Sequence, residues 1–218
     1  KLAMRRGETK QEYAITRAQV NDPSVRWDVI NGAGVMTISR FDEQTGTLAR
    51  RAAQEFIDKQ VKGVVLDLRD NGGGYLTAAQ ALASVWLNDQ VVVTEKTGGK
   101  VVDTVKTERH ALLGDMKTVV LTNGNTASAS EIVAGALQEY GKATLIGEKT
   151  YGKGTVQKIV NLSDGRILKV TTARWYTPKG KNITKEGITP DKTIHITKDD
   201  ANAGKDTQME AAQSVLAS

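Results

Sequence analysis

Thr118-Val119-Val120-Leu121-Thr122-Asn123-Gly124-Asn125-Thr126-Ala127-Ser128-Ala129-Ser130-Glu131-Ile132-Val133-Ala134-Gly135-Ala136-Leu137 changes its hydrophobic period halfway along. The apolar run at 118–121 reads as a strand, whereas Ile132, Val133, Ala136 and Leu137 recur at the spacing of a helix face. Ser128 falls at the strand-to-helix turn between them. Such a turn can expose a hydroxyl and aim unpaired backbone N–H groups at an oxyanion. A plainer reading also fits: Ser128-Ala129-Ser130-Glu131 matches S-x-x-E, a capping box in which serine and glutamate satisfy orphan N–H groups at a helix start.

A second segment, Gly147-Glu148-Lys149-Thr150-Tyr151-Gly152-Lys153-Gly154-Thr155-Val156-Gln157, weighs against capping as the whole explanation. A serine hydroxyl is a poor nucleophile until a base takes its proton, and a lysine serves as that base only where burial favours its neutral amine. Lys153 lies between glycines that permit close backbone approach, which sets it apart from an ordinary solvated lysine. If the chain is extended here, the period of two puts Lys153, Thr155 and Gln157 on one face, where the Gln157 amide oxygen can hold the lysine amine toward the serine. Residues 147–153 also fit G-x-x-x-x-G-K, most of a nucleotide-binding P-loop. That loop needs Ser or Thr next and then a helix N-terminus, whereas Gly154 and a strand-like Thr155 to Leu162 follow.

A third segment, Val64-Val65-Leu66-Asp67-Leu68-Arg69-Asp70-Asn71-Gly72-Gly73-Gly74, pairs a buried-strand run with a glycine turn able to present N–H groups. An ordinary turn at a strand end reads equally well from these residues alone.

Together these segments resemble the carboxyl-terminal processing peptidases, or tail-specific proteases, with Thr171-Thr172-Ala173-Arg174-Trp175-Tyr176-Thr177-Pro178 as a further match and the likeness running from about Val20 to about Asp191. The resemblance implies Ser128 as nucleophile, Lys153 as general base at a separation of 153 − 128 = 25 residues, and Gln157 as the residue orienting the lysine. It implies an oxyanion hole from the N–H of Ala129 and that of Gly73 or Gly74; Gly72 stands where the family usually has proline. It further implies a crotonase-like α/β domain, protein or peptide substrates with accessible C-termini, no cofactor, and an extracytoplasmic site such as the periplasm or envelope. A non-catalytic relative binding peptides or apolar ligands in the same cleft is the alternative, and intact Ser128, Lys153 and Gln157 argue against it.

The histidines His110 and His195 lie outside any glycine-turn or apolar frame and read as surface residues, so a Ser-His-Asp arrangement is not indicated. Without cysteine or a histidine cluster no metal site is expected. At 218 residues, 39% hydrophobic and 25% charged, one main globular domain is expected. The net charge of +5 is scattered, with no basic block of the kind that binds nucleic acid. No apolar run spans a bilayer and no signal peptide is present, so any targeting segment or membrane anchor is expected outside this chain.

Residues 1–20 look like a hairpin around Gly7 and, by the resemblance, like the last strands of a PDZ domain; 21–198 are expected to form the catalytic domain and 199–218 a polar tail with a short helix. Within the domain, strands are expected at 34–40 and 64–68, a helical stripe at Leu48, Ala52, Phe56 and Ile57, and an Ala-rich helix at 76–87. Hairpins are expected at 91–106, turning at Gly98-Gly99, and at 156–172, turning at 163–165. The alternation predicts an α/β sheet with helical cover, and Trp86, Trp175 and Tyr176 read as core or groove packing.

Overall fold

The computed structural model describes residues 1–16, 18, 22–163 and 165–217. Strands β1 (Leu2–Arg6) and β2 (Thr9–Tyr13) form an exposed antiparallel hairpin around Gly7. The body starts with β3 (Val25–Ile30), β4 (Ala33–Ile38), helix α1 (Thr45–Asp58), β5 (Val64–Asp67) and α2 (Leu76–Ala83). It continues through β6 (Val91–Thr97), β7 (Lys100–Lys106), β8 (Thr118–Thr122), α3 (Ala129–Glu139) and β9 (Thr144–Gly147). Then come β10 (Thr155–Asn161), β11 (Ile167–Tyr176), β12 (Lys192–Thr193), α4 (Lys198–Asn202) and α5 (Thr207–Ala217).

The main sheet has six strands in the order β12-β9-β8-β5-β4-β3, parallel except where β3 pairs antiparallel with β4. A strand buried on both faces alternates its side chains between two cores. In β5, Val64 and Leu66 join the core under α1, α2 and α3, whereas Val65 faces the opposite core. In β8, Val120 takes the first side while Val119 and Leu121 take the second. Phe56 of α1 is fully buried and sits over Gly34, where an added Cβ would come within 2.7 Å of its ring. That close approach explains the glycine in a strand interior.

A second sheet, β10-β11-β6-β7, is antiparallel and is built from the two expected hairpins. Gly98 and Gly99, with φ of 56° and 81°, make the turn between β6 and β7. Trp175 of β11 pairs with Glu95 of β6, which carries the β10–β11 hairpin alongside the first.

Several boundaries differ from expectation. The Ala-rich helix ends at Ala83 rather than Leu87, because the Ser84 hydroxyl donates back to the Gln80 carbonyl and residues 85–87 close as turns. The buried stripe of α1 is Thr45, Ala49, Ala52, Ala53 and Phe56, and Ile57 is exposed. The polar 199–218 stretch supplies α5, whose Ala212 and Leu216 cover the second face of the main sheet. Arg17, Val20 and Asp164, which the hairpin readings include, lie outside the described residues.

Candidate active site

Parallel neighbours β5 and β8 end at the same edge of the sheet, so the loops that follow them, 68–75 and 123–128, lie side by side. Asn71, fully buried, joins the two. Its side chain donates to the Ile38 carbonyl at 2.7 Å and accepts from the Gly73 N–H at 2.8 Å. Its own carbonyl accepts from the Ala127 N–H at 2.9 Å and from the Ser130 hydroxyl at 3.0 Å. Thr126 adds a hydroxyl bond to the Leu68 carbonyl at 2.9 Å.

Ser128 opens α3 with φ 58° and ψ −117°. A non-glycine residue there is strained by about 1–3 kcal/mol, which surrounding contacts must offset. The capping-box pairing is present, yet the Ser128 hydroxyl makes no side-chain cap hydrogen bond of normal geometry. Ser128 is half-buried and faces a cleft, whereas Ser130 is fully buried with its hydroxyl committed to Asn71. The N–H groups of Ala129 and Gly74 have no partner among the described residues, while that of Gly73 is taken by Asn71. Gly73, at φ 98°, instead provides room: a Cβ there would lie 2.8 Å from the Ser128 Cβ and 2.9 Å from the Ala129 nitrogen.

The 147–157 segment reaches the cleft from β9. Gly152, at φ 87°, and Gly154 pack against the 182–187 loop, where a Cβ on Gly152 would meet the Gly187 nitrogen at 2.8 Å and one on Gly154 the Thr184 hydroxyl at 2.6 Å. These contacts account for the glycines flanking Lys153. Lys153 itself is half-buried, and its amine has no hydrogen bond or ion pair among the described residues. No hydrogen bond joins it to the Ser128 hydroxyl among the described residues. Lys153 precedes β10, and Lys153, Thr155, Gln157 and Ile159 all line the cleft at a period of two; the register shift between Val156 and Gln157 puts its extra residue, Thr172, on β11. Gln157 is exposed at the cleft, beyond the bulge.

Glu131, read from the sequence as the glutamate of a capping box, makes that bond and three more. It is fully buried and its carboxyl accepts four hydrogen bonds: from the N–H of Ser128 at 2.8 Å, of Gly152 at 2.7 Å and of Lys153 at 2.9 Å, and from the Thr150 hydroxyl at 2.5 Å. The capping-box pattern pointed to this side chain, but only its bond within α3 is legible from spacing.

The cleft encloses about 620 Å³ and is lined by Ser128, Lys153, Gln157, Ala129, Gly73 and Gly74 together with apolar Leu76, Val93, Ile132 and Trp175. All six residues singled out from the sequence therefore meet in one cavity. Glu95 also lines it; burial, and then the Asp103 charge, raise its pKa above the usual value. Neither His110 nor His195 lines the cleft; both are exposed, and His195 pairs with Glu148 at 2.9 Å. Among the described residues no His, Asp and Glu cluster could hold a metal, and no helix is long and apolar enough to cross a membrane.

Comparison with known proteins gives the same frame. A probable CtpA-like serine protease of Staphylococcus epidermidis is 36% identical over 199 residues, 90% of this chain and 40% of that protein. The corresponding Staphylococcus haemolyticus protein is 36% identical over 196 residues, 89% of this chain and 40% of its own length. This chain thus spans about 40% of these curated relatives. Among solved structures, the photosystem II D1 C-terminal processing protease matches with a TM-score of 0.74 at 32% identity, over 85% of this chain and 52% of that one. A putative S41 protease from Bacteroides fragilis shares the fold with a TM-score of 0.75 at 22% identity, over 99% of this chain and 64% of that one. The sequence pattern of Peptidase family S41 matches residues 32–194, and with these relatives it makes the chain a member of that family.

Proposed function

We propose that this chain carries the catalytic domain of a serine endopeptidase that cleaves protein substrates near their C-termini through a Ser128/Lys153 dyad. The observation that carries the reading is Ser128 at a strained φ of 58°, opening onto a cleft that it shares with Lys153 and with the unpartnered N–H of Ala129. The amine of Lys153 takes the Ser128 proton as Oγ bonds to the scissile carbonyl carbon, and the N–H groups of Ala129 and Gly74 hold the resulting oxyanion. Collapse returns the proton from Lys153 to the leaving amine and leaves an acyl-Ser128 ester. Water, deprotonated by Lys153, then releases the carboxylate product and restores the serine. Gln157 orients the lysine.

The wider reading follows the family. The α/β frame is crotonase-like, residues 1–20 are the last strands of a PDZ domain, and the protein works outside the cytoplasm, with a membrane anchor elsewhere in the full-length protein. The test is incubation of the full-length protein and its Ser128→Ala variant with an unstructured protein, with cleavage sites mapped by mass spectrometry. Cleavage near C-termini lost in Ser128→Ala supports the reading, and undiminished cleavage by the variant refutes it.

A further inference from the structure

Trp175 lines the cleft and reaches the Lys153 segment with its indole N–H. The side chain is only 2% exposed and forms part of the cleft wall beside Val93 and Ile132. Its indole N–H donates to the Lys153 carbonyl at 2.8 Å, and its backbone N–H donates to the Gly154 carbonyl at 3.1 Å. A wall alone would need no donor, since phenylalanine fills the same role. Trp175 is itself held from two directions: β11 pairs it with Glu95, and the Asn182 amide donates to its carbonyl at 2.7 Å.

The Lys153 backbone is therefore fixed on its N–H side by Glu131 and on its carbonyl side by Trp175. Its side chain has no hydrogen-bond partner among the described residues, so the direction in which the amine leaves the backbone depends on these two peptide anchors. We propose that Trp175 is a positioning residue for the base, its indole N–H setting the peptide plane after Lys153 and thereby aiming the amine at Ser128. This rests on the reading of Lys153 as the base.

The test compares three variants of the full-length protein with wild type, with an unstructured protein as substrate and a thermal melt for each. Trp175→Phe keeps an aromatic wall and removes the donor. Trp175→β-(3-benzothienyl)alanine keeps the bicyclic shape and removes only the N–H, so it decides the matter if the phenylalanine variant fails to fold. Trp86→Phe is the control, because it deletes an equally buried indole bond, to the Thr118 hydroxyl at 2.9 Å, away from the cleft. The expected result is a kcat about tenfold lower in both Trp175 variants with KM within about twofold, and Trp86→Phe within about twofold on both. An unchanged kcat, a change confined to KM, or an equal kcat loss in Trp86→Phe would each overturn the proposal. Lys153→Ala run alongside separates the two claims: full activity there removes the base itself, whereas an inactive Lys153→Ala beside a fully active Trp175→Phe removes only the positioning role.

Discussion

Ser128 and Lys153 donate their backbone N–H groups to one and the same atom, Oε2 of Glu131, at 2.8 and 2.9 Å. A single buried side chain thus sets the distance between the turn that presents the serine and the loop that presents the lysine. It does so through backbone, and the Ser128 and Lys153 side chains both line the cleft. The other carboxyl oxygen holds Thr150 and Gly152 and extends the same tie along the loop.

Glu131→Gln replaces one of these oxygens with a donor, so at least one pair of bonds must be lost. Each buried group left without an acceptor costs about 1–3 kcal/mol. The expected outcome is a folded but less stable protein whose kcat falls about 100-fold, since small misplacements of a reacting pair are expensive. Thermal melts together with steady-state kinetics check both parts.

The two serines of the turn are expected to separate cleanly. Ser130 donates to the Asn71 carbonyl inside the protein, so Ser130→Ala is expected to cost about 1 kcal/mol and to keep activity within about tenfold. Ser128→Ala is expected to abolish turnover with a smaller stability change, because its hydroxyl makes no cap hydrogen bond of normal geometry. Mass-spectrometric identification of the phosphonylated serine, with an active-site-directed phosphonate as probe, reads the same distinction directly.

How much of this was legible beforehand depends on the range of the interaction. The residues that meet in the cleft were readable because the patterns that carry them are local: a serine at a change of period, a lysine between glycines, a glycine run after a strand. The ties that assemble them were not, because they join residues far apart in the chain, as Ser130 does with Asn71 and Trp175 with Lys153. The face-sharing argument for Lys153, Thr155 and Gln157 agrees with the structure, where all three line one cleft; the register shift after Val156, which the sequence did not reveal, puts its extra residue, Thr172, on β11. Helix α5 was underestimated because Gln208 is polar; it is buried only because its amide donates to the Ile194 carbonyl and its oxygen accepts from Arg69. Such partners are invisible to a hydrophobic pattern.

Neighbouring glycines in the 72–74 turn are expected to respond differently to alanine. Gly73→Ala places a Cβ against the Ser128 Cβ, the Ala127 carbonyl and the Ala129 nitrogen, at a φ of 98° unfavourable to alanine, so a kcat loss of at least about 100-fold is expected. A Cβ on Gly72 meets nothing within 4 Å, so Gly72→Ala is expected to keep activity within about threefold of wild type. Parallel kinetics on the two variants make the comparison.

Acid is expected to loosen the C-terminal helix. Burial alone would raise the Asp206 pKa, but hydrogen bonds from Arg69 and from the Met209 N–H outweigh it and hold the carboxyl below its usual value. For a depressed carboxyl, the linked stability is complete above the unfolded pKa of about 3.9 and is lost as pH falls through the lower folded value. Melting temperature should therefore drop below about pH 4, with proteolysis appearing first in residues 207–217. Asp206→Asn, which cannot titrate, should start less stable at neutral pH and show a flatter acid limb.

Lys153→Arg tests whether the amine must give up a proton. Arginine keeps the positive charge and comparable reach, but its guanidinium stays protonated in proteins and offers donors without an acceptor. A residue needed only for electrostatic attraction would survive this exchange, whereas a base would not. The expected outcome is that Lys153→Arg and Lys153→Ala are equally inactive, at least about 1,000-fold below wild type in kcat, while both keep the native melting temperature within a few degrees. The stability half of that expectation follows from the Lys153 side chain having no hydrogen bond or ion pair among the described residues, so that no polar contact in the folded protein is lost with it. Substantial turnover by Lys153→Arg would assign the lysine a purely electrostatic part and require another group to take the Ser128 proton.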